Sequence, residues 1–198
     1  MMDSVSEKCI EFFVDNDIIK NEDKELYQYA LSITISAVIH ILTIIVLGIT
    51  FSLVVESIIF YMCFIAIRKF AGGYHAKTAR SCYFFSVLLS VILLIILKLL
   101  ICNMSSVIKI ITITVSLIST VCIWIMAPSD TENNPLSNKE KIVYRRVARI
   151  ISLLVFIMFI VFLILGQYNI ALSVGLGIFM SVLVLIMRKI ELIFSKTR

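Results

Sequence analysis

Residues 30–67 read ALSITISAVIHILTIIVLGITFSLVVESIIFYMCFIAI, an apolar run in which His40 and Glu56 are the sole His, Asp, Glu, Lys or Arg residues. As one straight helix it would extend about 57 Å, nearly twice the roughly 30 Å hydrocarbon core of a bilayer. It therefore holds two crossings and a turn between them. Gly48, Thr50, Ser52 and Glu56 gather near the midpoint, which sets the first two spans at 30–50 and 51–67. Backbone polar groups find no partner in lipid, so each crossing is expected to be an α-helix.

The same length criterion places further spans at 82–101, 107–127, 150–166 and 169–187. Over the 198 residues, 61% are hydrophobic and 16% charged, and the mean hydropathy is +1.06. Soluble domains run near 45–50% apolar and about 25% charged, so this composition excludes a soluble enzyme, a disordered chain and a nucleic-acid reader. The expected fold class is all-α: a polytopic membrane helical bundle of six transmembrane helices, preceded by a cytoplasmic amphipathic helix. The domain reading is residues 1–29 for that helix and 30–198 for the membrane domain.

Charge is segregated along the chain. Residues 1–28 carry eight acids against Lys8, Lys20 and Lys24, whereas the basic residues concentrate later. Arg68, Lys69, Lys77 and Arg80 follow the second span, Lys139 to Arg149 separates the fourth from the fifth, and Arg188, Lys189, Lys196 and Arg198 close the sequence. The positive-inside tendency puts these three clusters in the cytoplasm, and six spans place both termini there. A pI near 9.0 thus reflects topology rather than nucleic-acid binding. Within residues 4–28, Val5, Cys9, Phe12 and Phe13 recur at helical spacing under an acidic face, with Ser4 and Glu7 as a capping box.

The segment after the second span reads Arg68-Lys-Phe-Ala-Gly-Gly-Tyr-His-Ala-Lys-Thr-Ala-Arg-Ser-Cys82. A histidine and a cysteine at a membrane edge have the chemistry of a thiol nucleophile and its base: the imidazole takes the thiol proton and returns it to the leaving amine. Unpaired N–H groups at the start of the third span, with Arg80 and Lys77 nearby, favour the Cys82 thiolate. On one continuous helix His75 and Cys82 would lie about 10.5 Å apart along the axis, too far for proton transfer. Residues 72–81 are therefore expected to contain a turn, which Gly72 and Gly73 permit.

The pattern R-x-x-x-G-G-Y-H-A followed by Cys82, within six spans and about 200 residues, resembles the AgrB family of membrane peptidases. Ala127-Pro128, Asn133-Asn134-Pro135-Leu136-Ser137 and the basic run after Lys139 resemble that family's other recognisable segment, so the likeness covers nearly the whole chain. The resemblance implies a cysteine endopeptidase of the bacterial cell membrane acting on an AgrD-type quorum-sensing propeptide. His75 is then the catalytic base and Cys82 the nucleophile; an acyl-thioester forms on Cys82 as the acidic tail leaves, and an internal nucleophile of the peptide closes a lactone or thiolactone ring. It further implies a homodimer in membrane lipid, with no cofactor and no nucleic acid. For substrate binding the candidates are Arg68, Lys69, Gly72 and Gly73: the two basic residues suit an acidic tail, and backbone N–H groups near Gly73 or at the start of the third span suit an oxyanion.

The rival reading is a non-enzymatic small transporter or peptide-binding receptor, for which His40 and Glu56 would be the polar intramembrane groups. No internal repeat supports it. A membrane S-acyltransferase would carry a denser Cys/His set. Cys9, Cys63, Cys82, Cys102 and Cys122 lack CxxC spacing, so neither a disulfide framework nor a metal site is expected. Gly175 and Gly177 are expected to allow close helix packing.

Overall fold

The structure is a computed structural model in which residues 10–14, 19, 21–74, 79–129 and 137–196 are described. It divides into two compact units, Met1–Val46 and Leu47–Arg198. Six long helices follow one another: α1 (Lys24–Phe51), α2 (Val54–Ala71), α3 (Ala79–Cys102), α4 (Ser106–Met126), α5 (Asn138–Ile164) and α6 (Tyr168–Lys196). Among the described residues five of these, all but α2, are long and apolar enough to cross a membrane. The chain is thus an all-helical, multi-pass membrane protein. Helix α2 falls outside this set because its 18 residues include Glu56, Arg68 and Lys69.

In the first unit, residues 10–14 are helical, Ile19 lies in a bend and its N–H donates to the Phe13 carbonyl at 3.3 Å. A 3-10 turn at Asn21–Asp23 then leads into α1. The helix expected over 4–28 is therefore interrupted at Ile19, where Asp15, Asn16 and Asp17 just before it are poor helix formers. The capping box expected at Ser4 and Glu7 lies outside the described residues.

The turn hidden in the 30–67 run falls at Ser52 and Leu53. Ser52 adopts φ 57°, and the Leu53 N–H reaches back to the Gly48 carbonyl at 2.7 Å. A Cβ at Gly48 would meet Ser57 Oγ at 2.3 Å and Val54 Cα at 2.9 Å, so this tight turn has room only for glycine there. Lys98 Nζ donates to the Phe51 carbonyl at 3.0 Å, supplying a partner that the end of α1 lacks. The α5–α6 turn is a Schellman close: Gln167 N–H bonds to the Phe162 carbonyl and Gly166 N–H to that of Leu163, with Gly166 at φ 73°.

The segment 139–149, read from its charges as a loop, is helical. Ser137 Oγ accepts the Glu140 N–H while the Glu140 carboxylate accepts the Ser137 N–H, a reciprocal cap that starts α5 at Asn138, well before the expected span at 150. Lys, Arg and Glu are good helix formers, so nothing after that cap stops the helix.

Within the second unit α6 is central. In its apolar window 72% of residues are buried, against 22–28% for the windows of α3, α4 and α5, and every residue from 171 to 178 is buried. Small residues make this possible: a Cβ on Gly177 would lie 2.8 Å from the Phe60 carbonyl oxygen, and one on Gly175 would lie 2.8 Å from Ser116 Oγ. The close packing expected of these two glycines is therefore present, against α2 and α4 respectively. Hydroxyls in the bundle return their protons one turn back, as Thr120 does to Ser116, Ser173 to Asn169 and Ser181 to Gly177, which satisfies them without water.

Candidate functional site

Helix α2 ends where glycine begins. Gly72 N–H donates to the Arg68 carbonyl at 2.9 Å, after which Gly72 takes φ 75° and ψ −156°, a region essentially restricted to glycine. Gly73 follows at φ 145°. Both positions are also crowded: a Cβ on Gly72 would stand 2.3 Å from the Ser129 carbonyl oxygen, and one on Gly73 2.6 Å from Val184 Cγ1.

Both neighbours also hold the loop through backbone hydrogen bonds. The segment after α4 comes alongside Gly72 in a parallel bridge, with Ser129 N–H donating to the Ala71 carbonyl at 3.0 Å. Helix α6 supplies the Val184 carbonyl, which accepts the Tyr74 N–H at 3.0 Å. The Tyr74 carbonyl accepts from Arg68 Nη2 at 3.1 Å, and its ring meets Phe85 of α3 edge-on at 5.6 Å. Two chain segments distant in sequence, at Ser129 and Val184, thus converge on residues 71–74, with the Phe85 ring beside them. Among the described residues no bond is seen to the Gly73 N–H, whereas the amides of Gly72 and Tyr74 are both engaged.

His75 lies outside the described residues, as does the Cys82 side chain. The backbone on either side is described. His75 directly follows the pinned Tyr74, and Cys82 is the fourth residue of α3, within its first turn. Helix α2 stops at Ala71, residues 72–74 are non-helical and α3 is described from Ala79; the part of the expected turn that falls at 75–78 lies outside the described residues. First-turn N–H groups of a helix lack intrahelical acceptors, so this placement provides positive partial charge at Cys82.

Of the two basic residues expected to receive an acidic tail, Arg68 is half-buried, its guanidinium 5.4 Å from the centre of the Phe64 ring as well as bonded to Tyr74. Lys69 is exposed and stands over the Phe70 ring at 5.6 Å. His40 Nδ1 is 3.0 Å from the Ser36 carbonyl on its own helix, and Glu56 occupies the first turn of α2, half-buried.

Two participants have no counterpart in the sequence reading. Ser129 and Val184 act through backbone atoms. Arg188, counted there among the terminal charges, is 5% exposed and pairs with Glu191, one turn past Val184. The i,i+3 spacing of opposite charges was the available signal.

A family profile described as accessory gene regulator B matches residues 6–185. The AgrB-like protein 2 of Clostridium perfringens strain 13 is 23% identical over 185 residues, covering 92% of this chain and 86% of the relative. An AgrB-like protein of C. perfringens strain SM101 is 23% identical over 165 residues, or 82% and 77% of the two chains. No solved structure matches.

Proposed function

Because the chain belongs to the accessory gene regulator B family, whose part in agr quorum sensing is peptide processing, we propose that it is a membrane-embedded cysteine endopeptidase acting on an AgrD-type propeptide. His75 removes the thiol proton from Cys82. The thiolate attacks the scissile carbonyl, the peptide C–N bond breaks, and His75 returns the proton to the departing amine of the acidic C-terminal tail. The remaining peptide is held as a thioester on Cys82. A cysteine or hydroxyl within the peptide then displaces Cys82, which recovers its proton, and a thiolactone or lactone ring leaves. Exchange of one acyl linkage for another keeps the activation that water would discard, so a dry membrane-edge site favours cyclisation over hydrolysis. Arg68 and Lys69 draw the acidic tail, while the Gly73 N–H, to which no bond is seen among the described residues, is the preferred oxyanion donor over that of Gly72.

The observation that carries this reading is the position of the His75–Cys82 sequence in a family match spanning residues 6–185, between a glycine-built helix end and the first turn of α3. In this reading α2 is the sixth span. Its 18 residues extend about 27 Å, with Glu56 at one end and Arg68 and Lys69 at the other. Both termini and the 68–82 loop then face the cytoplasm of a bacterial cell, residues 1–29 precede the 30–198 membrane domain, and two copies associate in lipid.

Purified protein in liposomes, mixed with an AgrD-type propeptide, tests the reading by mass spectrometry. Wild type is expected to release the tail and to carry a peptide adduct mapped to Cys82. Cys82→Ala loses both products, and His75→Ala slows both. Tail release by Cys82→Ala at the wild-type rate would refute the mechanism.

A further inference from the structure

Helix α4 ends badly by its own means. Its last regular bond runs from Ala127 N–H to the Ile123 carbonyl at 2.9 Å. The next carbonyl, that of Trp124, would look to residue 128 for a donor, and residue 128 is proline, which has no N–H. Arg149, three turns into α5, supplies the missing donors: its Nε and Nη2 approach the Trp124 carbonyl at 3.3 and 3.1 Å. The two helices are further tied where Trp124 Nε1 donates to Ser152 Oγ at 3.1 Å and Ser152 Oγ donates to the Arg149 carbonyl at 3.0 Å. Five residues past Trp124 comes Ser129, whose N–H holds the Ala71 carbonyl and whose backbone lies against Gly72.

We propose that Arg149 is a positioning residue for the peptidase site: by closing α4 at Pro128 it fixes Ser129, and through Ser129 the Ala71–Gly72 backbone from which the catalytic loop departs. Its charge follows the positive-inside pattern, yet its guanidinium is used as a helix cap. Arg145, Arg146 and Arg149 are all exposed, and for the first two no comparable bond is seen among the described residues. A displacement near 1 Å of a site's support can cost about a hundredfold in rate, and Ser129 is one of two supports, the other being Val184. The inference rests on the cysteine peptidase reading for its kinetic consequence, though not for its structural one.

The experiment therefore has two arms on protein in liposomes. Amide hydrogen exchange compares wild type with Arg149→Ala and Arg149→Lys; the alanine variant is expected to lose protection at Gly72 and Ser129, about tenfold, with helices elsewhere unchanged. Cleavage of a synthetic AgrD-type propeptide is then expected to show kcat lowered about tenfold at unchanged KM for Arg149→Ala. Arg149→Lys, which keeps the charge and one donor, recovers to within about threefold of wild type. Arg145→Ala and Arg146→Ala leave kcat as it is. Unchanged exchange in Arg149→Ala would overturn the proposal whatever the activity. A rise in KM at constant kcat, shared with Arg145→Ala and Arg146→Ala, would also overturn it and make Arg149 one member of a charge cluster. Failure of the peptidase reading is a separate outcome, seen as no cleavage by wild type, and the exchange arm still decides the role of Arg149. Should Arg149→Ala fail to fold, Arg149→Met, which keeps a long side chain but has no donor, takes its place: exchange at Gly72 and Ser129 at the wild-type value in that variant would overturn the proposal.

Discussion

Replacing Gly72 by alanine adds one methyl group and tests how the loop is built. The backbone at φ 75° and ψ −156° belongs to a region that costs a residue bearing a Cβ on the order of 1–3 kcal/mol. The new Cβ would also lie 2.3 Å from the Ser129 carbonyl oxygen, about 1 Å inside ordinary contact. That oxygen is backbone and cannot rotate aside, so the 71–72 and 127–129 segments must part. Parting them breaks the Ser129–Ala71 hydrogen bond, a further loss of about 1 kcal/mol. The expected total is about 3 kcal/mol of local stability, with a loss of cleavage rate between about tenfold and a hundredfold if the catalytic loop shifts with its anchor. Gly166 is the control: its φ of 73° is nearly the same, yet nothing lies within 4 Å of a Cβ there. Gly166→Ala should cost about 1 kcal/mol and leave cleavage intact. Thermal unfolding in detergent and propeptide cleavage in liposomes give both numbers for each variant. Equal effects of the two substitutions on rate would show that the contact with Ser129 does not support the site.

Gly177→Ala should lower the unfolding midpoint, because its Cβ would meet the Phe60 carbonyl oxygen at 2.8 Å and Cys63 Cβ at 2.9 Å; overpacking of this kind costs about 1–3 kcal/mol, and the same melt measures it. Ser137→Ala removes the Oγ that accepts the Glu140 N–H, while the backbone N–H of residue 137 still donates to the Glu140 carboxylate; it is expected to cost about 1 kcal/mol, seen as faster amide exchange in the first turn of α5, with the cleavage rate unchanged.

Much of the helix layout could be read from apolar length alone, because lipid forces every crossing into a segment of similar size. The turns at Ser52–Leu53, 103–105 and 165–167 fall where the apolar runs are interrupted. The start of α5 was missed because its charges suggested a solvated loop, although Ser137 and Glu140 stood at capping-box spacing in the sequence. The central place of α6 could not come from periodicity: in a bundle surrounded by lipid, exposed faces are as apolar as buried ones, and only the small residues Ala171, Ser173, Gly175, Gly177 and Ser181 mark the buried helix. At the site, Gly72 and Gly73 were legible because positive φ selects glycine. Ser129 and Val184 were not, since a backbone amide or carbonyl is present in almost any residue and leaves no signature in the sequence. Arg149 lies between these cases: Pro128 announces an orphaned carbonyl at Trp124, but which side chain answers it depends on the packing of α4 against α5.

The bond between Tyr74 N–H and the Val184 carbonyl joins an early part of the chain to a late one. During synthesis, α2 and the loop after it emerge well before α6 exists. Until α6 threads between its neighbours, the loop lacks its Val184 anchor and α2 lacks the Gly177 face that packs against Phe60 and Cys63. In the peptidase reading, a nascent chain would carry its nucleophile in the membrane as an unassembled and idle group. Completion of the bundle would be the event that switches the enzyme on, sparing the cell an active thiol protease on every ribosome making one.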